Sequence, residues 1–204
     1  MEMRMNQIDV KDEITFIKKV IEDSKRTVGG GNLSSVLWGV LVVIGMILTY
    51  LHIVLSSAIH PGWVWGILIG VGWIYTIVIM IIQKKKSAAK TFGGRILSSI
   101  WIACGVVMTG IGFYATSTGA IKTWALIPVF SMIIGIGYYV TSDIVASRIT
   151  KLFAITWWVA GLLMMTWPGS YMFLLFAGMM IAFQITPGIK YHLEWKKQQT
   201  GFKE

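Results

Sequence analysis

Side chains able to do chemistry are scarce between residues 33 and 189, and their spacing limits what they could do. Asp143 is the charged residue that falls inside an apolar run. A carboxylate within a membrane helix marks an ion or proton site by default, because burying it is costly. Asp143 follows Trp124, which opens that run, by 19 residues, and 19 residues of helix rise about 28 Å. It therefore belongs at the far boundary, where pairing with Arg95, Arg148 or Lys151 is the simpler role. His52 and His60 flank one end of the first hairpin. Two imidazoles could begin a metal or haem site, but such a site needs further ligands and usually a carboxylate behind them. Ser34, Ser35, Ser98, Ser99 and Ser131 lack an intramembrane base to activate them, so nucleophilic catalysis is not expected. The pairs Gly110/Gly112 and Gly135/Gly137 sit inside apolar runs rather than after a strand, which excludes a dinucleotide loop. Cys104 is the single cysteine and reads as a packing residue. Gln184 can bridge two helices by a hydrogen bond or touch a ligand. No catalytic, metal or cofactor role is assigned. Asp143, Gln184 and Arg95 remain as candidate functional residues.

The elements that must position them are membrane spans. The 204 residues are 55% hydrophobic and 13% charged, against about 25% charged in soluble domains, and the mean hydropathy is +0.70. Apolar runs at 33–55, 63–82, 96–115, 124–147, 151–167 and 171–189 are each read as crossing the bilayer, for which about 20 residues suffice. The fifth is short and must borrow residues from its flanks. Every Lys and Arg except Lys122, and all nine acids, then fall on one side. Basic loops resist translocation, so both termini are expected in the cytoplasm. The net charge of +9 is accounted for by this orientation, and no nucleic-acid partner is expected. Trp63, Trp65, Trp124 and Trp167 are expected at the outer boundary, and Trp38, Trp101, Trp157 and Trp158 near the inner one.

The expected fold is an all-α polytopic membrane bundle of six helices in three hairpins, preceded by an amphipathic cytosolic helix. Residues 1–31 form the leader and a Gly29-Gly30-Gly31 hinge, 32–190 the transmembrane domain and 191–204 a basic tail. In the leader, Ile14, Ile17 and Ile21 make an apolar stripe at helical spacing, and Lys18, Lys25 and Arg26 lie among mixed charges. These six residues are the candidate partner surface, facing lipid, the protein's own loops or another protein. The hairpins have a repetitive look: Gly30-Gly31-Asn32-Leu33-Ser34-Ser35 precedes Trp38, and Gly93-Gly94-Arg95-Ile96-Leu97-Ser98-Ser99 precedes Trp101. Leu152 precedes Trp157 at the spacing that separates Leu33 from Trp38. Triplication of a helical hairpin and convergent composition both account for this. Gly66 and Gly70, spaced as GxxxG, are a candidate homo-oligomer face, while most span glycines are expected to serve packing within the chain.

The leader Ile14-Thr15-Phe16-Ile17-Lys18-Lys19-Val20-Ile21-Glu22-Asp23-Ser24-Lys25-Arg26, the turn Trp167-Pro168-Gly169-Ser170-Tyr171 and the tail Tyr191-His192-Leu193-Glu194-Trp195-Lys196-Lys197 carry a resemblance. In outline the chain resembles small bacterial six-span membrane proteins with an amphipathic leader. The resemblance implies the bacterial inner (plasma) membrane and brings no activity and no site residues. Chargeable surface gathered on one side favours a non-enzymatic sensor, scaffold or accessory subunit that meets a cytosolic or membrane protein partner. The alternative is a small transporter or channel for an uncharged or lipophilic substrate. That alternative requires a cavity between the spans lined by Thr49, Thr76, Thr109, Ser131 and Gln184.

Overall fold

A helix satisfies its backbone N–H and C=O groups internally, the condition a chain must meet in hydrocarbon. The computed structural model describes residues 13–18, 34–56, 60–85 and 92–200, and the elements among them are helical. In chain order they are α1 Ser34–Leu55, α2 Pro61–Lys85 and α3 Phe92–Gly110, which continues as a π-helical turn Ile111–Ala115. A 3-10 turn, Thr123–Ala125, leads into α4 Leu126–Ile144. Then come α5 Arg148–Thr166, α6 Tyr171–Met180, a second π-helical turn Ile181–Ile185 and α7 Thr186–Thr200. Six stretches are long and apolar enough to cross a membrane: Ser34–Leu55, Pro61–Ile82, Gly93–Ala115, Thr123–Ile144, Arg148–Thr166 and Tyr171–Glu194. The protein is a multi-pass helical membrane protein.

The span limits fall close to the apolar runs, and the differences have local causes. The fifth span does borrow residues, starting at Arg148 because the Ser147 side chain accepts the Thr150 N–H and caps the helix there. The fourth ends at Ile144 rather than 147, because the chain reverses through Ala146 at φ 49°. Left-handed backbone at a residue bearing a Cβ is uncommon, and the short turn between two packed helices imposes it. Pro187 does not stop the last helix, which runs on through Thr200. A π-helical turn, Ile181–Ile185, lies just before it. That helix also carries the chain past residue 190 into the tail.

Packing is uneven. The most extended pairing is α4 with α5; α1 lies between α2 and α6, α3 lies on α4, and α4 also meets α6. The fully buried side chains Trp157, Phe176, Met164, Met172, Pro128 and Ser131 all belong to α4, α5 and α6. By contrast α2 and α3 lack an extended backbone apposition, and Trp73 bridges the space between them. One flank of the bundle is a dense three-helix core and the other is a looser wall.

In the leader, residues 13–18 are helical and exposed, including Ile14, Ile17 and Lys18. Ile21, Lys25, Arg26 and the glycine hinge lie outside the described residues.

Candidate functional site: a cavity walled by tryptophan clasps

One local device recurs along the wall. A threonine inside a helix can donate its hydroxyl to the carbonyl four residues back. Thr49, Thr76, Thr109 and Thr141 do so, to the carbonyls of Gly45, Gly72, Gly105 and Gly137, at 2.7–2.8 Å. The hydroxyl oxygen keeps lone pairs, and each accepts an indole N–H from another helix. Trp65 reaches Thr49 at 3.0 Å, Trp38 reaches Thr76 at 3.0 Å, Trp73 reaches Thr109 at 3.1 Å and Trp101 reaches Thr141 at 3.2 Å. The glycine at i−4 gives the ring its seat. A Cβ on Gly45 would lie 2.7 Å from Trp65 Cη2, and one on Gly72 would lie 2.6 Å from Trp38 Cη2. The seats at Gly105 and Gly137 are looser, with nearest ring atoms at 3.5 and 3.3 Å. Each clasp thus satisfies an indole N–H, a hydroxyl and a close ring-to-backbone approach together. Interhelical hydrogen bonds in membranes average about 0.6 kcal/mol, so four contribute roughly 2.4 kcal/mol.

The clasps carry a sequence signal, the spacing Gly-x-x-x-Thr at 45–49, 72–76, 105–109 and 137–141. It also corrects the expected tryptophan belts. Trp63, Trp124 and Trp167 are exposed, as boundary residues should be. Trp38, Trp65 and Trp101 turn inward to threonines, and Trp158 donates to the Met132 carbonyl at 3.2 Å over Gly135. The device bears on the repeat as well. Trp38 and Trp101, which follow the two matching Gly-Gly…Ser-Ser segments, clasp the even helix of their own hairpin. Trp157 is fully buried against Phe176, but its indole N–H has no acceptor among the described residues. The third hairpin carries Gly178 with Ala182 where a threonine would be needed.

The clasps wall a cavity of about 2410 Å³ whose lining comes from all six spans. Drug-sized ligand pockets reach about 1,000 Å³. It extends along α1 from Ser34 to His52, about 27 Å of helix at 1.5 Å per residue. Between its ends the wall is mainly apolar and aromatic. Trp101 meets Tyr138 edge-on at 5.2 Å, and Phe153 stacks on Phe183 at 4.7 Å. The polar atoms in this wall bond to one another. A regular helix would send the residue 187 N–H to the Phe183 carbonyl, but Pro187 has none. The Tyr138 hydroxyl donates to that carbonyl instead, at 2.9 Å. Gln184 Nε2 donates to the Ser35 carbonyl at 2.9 Å and fastens α6 to α1.

The two mouths differ. At one, His52 and His60 stand with ring centroids 6.4 Å apart, and His60 Nδ1 accepts the Gly62 N–H at 3.1 Å. Among the described residues no group of three His, Cys, Asp or Glu side chains is placed to hold a metal ion. At the other mouth lie Arg148, Lys190, Glu194, Tyr191 and Ser34.

The sequence candidates separate. Of the threonine and serine wall, Thr49, Thr76, Thr109 and Gln184 line the cavity. Ser131 does not: it is buried with its hydroxyl donating to the Trp157 carbonyl at 2.6 Å. Asp143 lies off the cavity and pairs with Lys151, Oδ1 to Nζ at 2.7 Å, with side chains 54% and 41% exposed. Lys151 Nζ also sits 4.8 Å from the Tyr139 ring centroid. Arg95 is exposed on α3. Asp143, Gln184 and Arg95 therefore do not form one site. Gly66, Gly70, Gly110 and Gly178 face open space, whereas Gly105, Gly112, Gly135, Gly137 and Gly161 receive neighbouring side chains.

Comparison of the chain with protein-family models, with curated proteins and with solved structures finds no match.

Proposed function

We propose that this protein binds a lipophilic small molecule within the bundle and moves it through or along the membrane. The observation that carries this reading is the cavity: about 2410 Å³, lined by all six spans, with the indole, threonine, tyrosine and glutamine groups of its wall bonded within the wall. Such a wall offers a ligand ring faces and aliphatic side chains and asks for no hydrogen bond in return. It suits neither a bare ion nor a strongly polar solute, whose lost hydration would go unreplaced. We place the basic mouth and both termini in the cytoplasm of a bacterial plasma membrane, because the basic loops gather on that side.

Native mass spectrometry of the purified full chain tests the reading. Released from micelles preloaded with a long-chain neutral alcohol, the protein should retain one molecule. Ile102→Trp, which adds bulk to the wall, should lose it while keeping the thermal transition of the parent. Absence of a retained adduct, or equal retention by Ile102→Trp, would refute the proposal.

A second reading is contact with a protein partner through the leader. Its support is the exposed apolar set Ile14, Phe16 and Ile17 on the helical residues 13–18. Deleting residues 1–28 should then abolish recovery of a crosslinked partner, and unchanged recovery would dismiss it.

A further inference from the structure

The two mouths of the cavity are chemically unequal, and the inequality narrows the ligand class. Arg148 and Lys190 both line the mouth near the start of α1, from the first turn of α5 and from α7. Among the described residues neither has a carboxylate within 4.0 Å. The acid closest to Arg148 in sequence, Asp143, is already held by Lys151 at 2.7 Å and lies off the cavity. Glu194 shares the mouth, one helical turn after Lys190. Among the described residues of the rim, two cations and one carboxylate leave a single positive charge unmatched. Ser34, Ser35 and Tyr191 add polar groups at the same rim.

Beyond this rim the chemistry changes within one helical turn. Gln184 is spent on the Ser35 carbonyl, and Tyr138 on the carbonyl that Pro187 leaves open. From there to His52 the wall is Trp38, Trp73, Trp101, Phe153, Phe183 and their aliphatic neighbours. The run of about 27 Å is close to the full hydrocarbon thickness of about 30 Å, so it exceeds one leaflet. A wall of this kind matches a long chain, and a rim of this kind matches one negative charge. Neither an uncharged lipophile nor a multiply charged solute uses both.

Resting on the binding role set out above, we propose that the ligand is a monoanionic amphiphile, its head held at the Arg148 and Lys190 rim and its hydrocarbon chain lying along the tryptophan-clasped wall. A carboxylate or a phosphodiester head meets this description. Arginine grips either through paired N–H donors, and lysine acts as a point charge.

The test compares heads on one tail. The full chain in micelles is loaded with an 18-carbon fatty acid, with its methyl ester, or with a lysophospholipid of the same chain bearing a monoanionic phosphodiester head. Retained adducts are counted by native mass spectrometry across a concentration series. The acid should be retained roughly 10-fold more tightly than the ester, the scale of a charge-assisted hydrogen bond. The double variant Arg148→Gln with Lys190→Gln should bring acid and ester within about 2-fold, leaving ester retention unchanged. Both residues are exposed at the rim, and an unshifted thermal transition will show that the variant is folded. Preference for the acid over the lysophospholipid, or the reverse, assigns the head as carboxylate or phosphodiester. Equal retention of acid and ester by the parent, or an acid preference that survives the double variant, overturns the amphiphile proposal while leaving the lipophile reading in place. Retention of none of the probes overturns both.

Discussion

Replacing Gly72 by alanine should loosen the first hairpin, and the structure sets the size of the effect. A Cβ at this position would lie 2.6, 2.8 and 2.9 Å from Trp38 Cη2, Cζ2 and Cζ3. Three ring atoms are involved, so the whole indole must withdraw by about 1 Å to reach ordinary carbon contact at about 3.5 Å or more. Withdrawal stretches the 3.0 Å bond from Trp38 Nε1 to Thr76 Oγ1 beyond hydrogen-bonding range. Overpacking costs about 1–3 kcal/mol, and the lost interhelical bond about 0.6 kcal/mol. Against this, alanine is the better helix former by about 1 kcal/mol. The expected net loss is roughly 1–2 kcal/mol, a fall in Tm of about 2–8 °C for a chain of this size. Gly70→Ala, two residues away on the same helix and on its other side, is the matched control. Its Cβ would meet nothing within 4 Å, so it should be neutral or slightly stabilising. Thermal unfolding in detergent, followed by tryptophan emission, measures both. If Gly72→Ala unfolds within about 1 °C of Gly70→Ala, the indole does not depend on that glycine seat, and the clasp is wrong as a stabilising device.

Two further outcomes follow from bonds in the same bundle. Tyr138→Phe leaves the Phe183 carbonyl without its donor and should cost about 1–3 kcal/mol. Adding Pro187→Ala restores a backbone N–H at the position that would bond that carbonyl, so the double variant should recover most of the loss; failure to recover in thermal unfolding would dismiss the proline-release account. Asp143→Asn breaks a half-exposed pair with Lys151 and should cost no more than about 1 kcal/mol. A loss above about 3 kcal/mol would show that this carboxylate has a buried role.

The parts of this structure that depend on composition were legible, and those that depend on helix rotation were not. Six spans could be placed within a few residues because an apolar run of about 20 residues has few alternatives in a bilayer. Span five was short on paper because its first turn, Arg148-Ile149-Thr150, is polar enough to look like loop; the Ser147 cap makes it helix. Trp38 and Trp101 were expected at the headgroups, where indoles commonly sit. Whether an indole faces a boundary or a neighbouring helix depends on the turn of its helix about its own axis, and a threonine acceptor on the next helix decides it here. The Gly-x-x-x-Thr spacing occurs at Gly112/Thr116 and Gly119/Thr123 as well as at the four clasps, so it does not say which tryptophan it receives, or whether it receives one. Ser131 was placed on the cavity wall by its polarity, yet the tight α4–α5 pairing turned its hydroxyl to the Trp157 carbonyl. Asp143 lies near the helix end and takes Lys151, one of the three cations expected to pair with it.

The clasps also bear on the order in which the bundle assembles. They join helices that are consecutive in the chain: residues 16 and 38 apart between α1 and α2, 36 apart between α2 and α3, and 40 apart between α3 and α4. The bond that fastens α6 to α1, Gln184 to Ser35, spans 149 residues. A chain emerging from its N-terminus can therefore lock each helix to the one made just before it, at small loop-closure cost. The open arc so formed stays unclosed until the last span is made. The cavity would then be the final feature to exist, enclosed only when Gln184 reaches back to the first helix, and a chain shortened before α6 would keep its four clasps while having nothing to enclose.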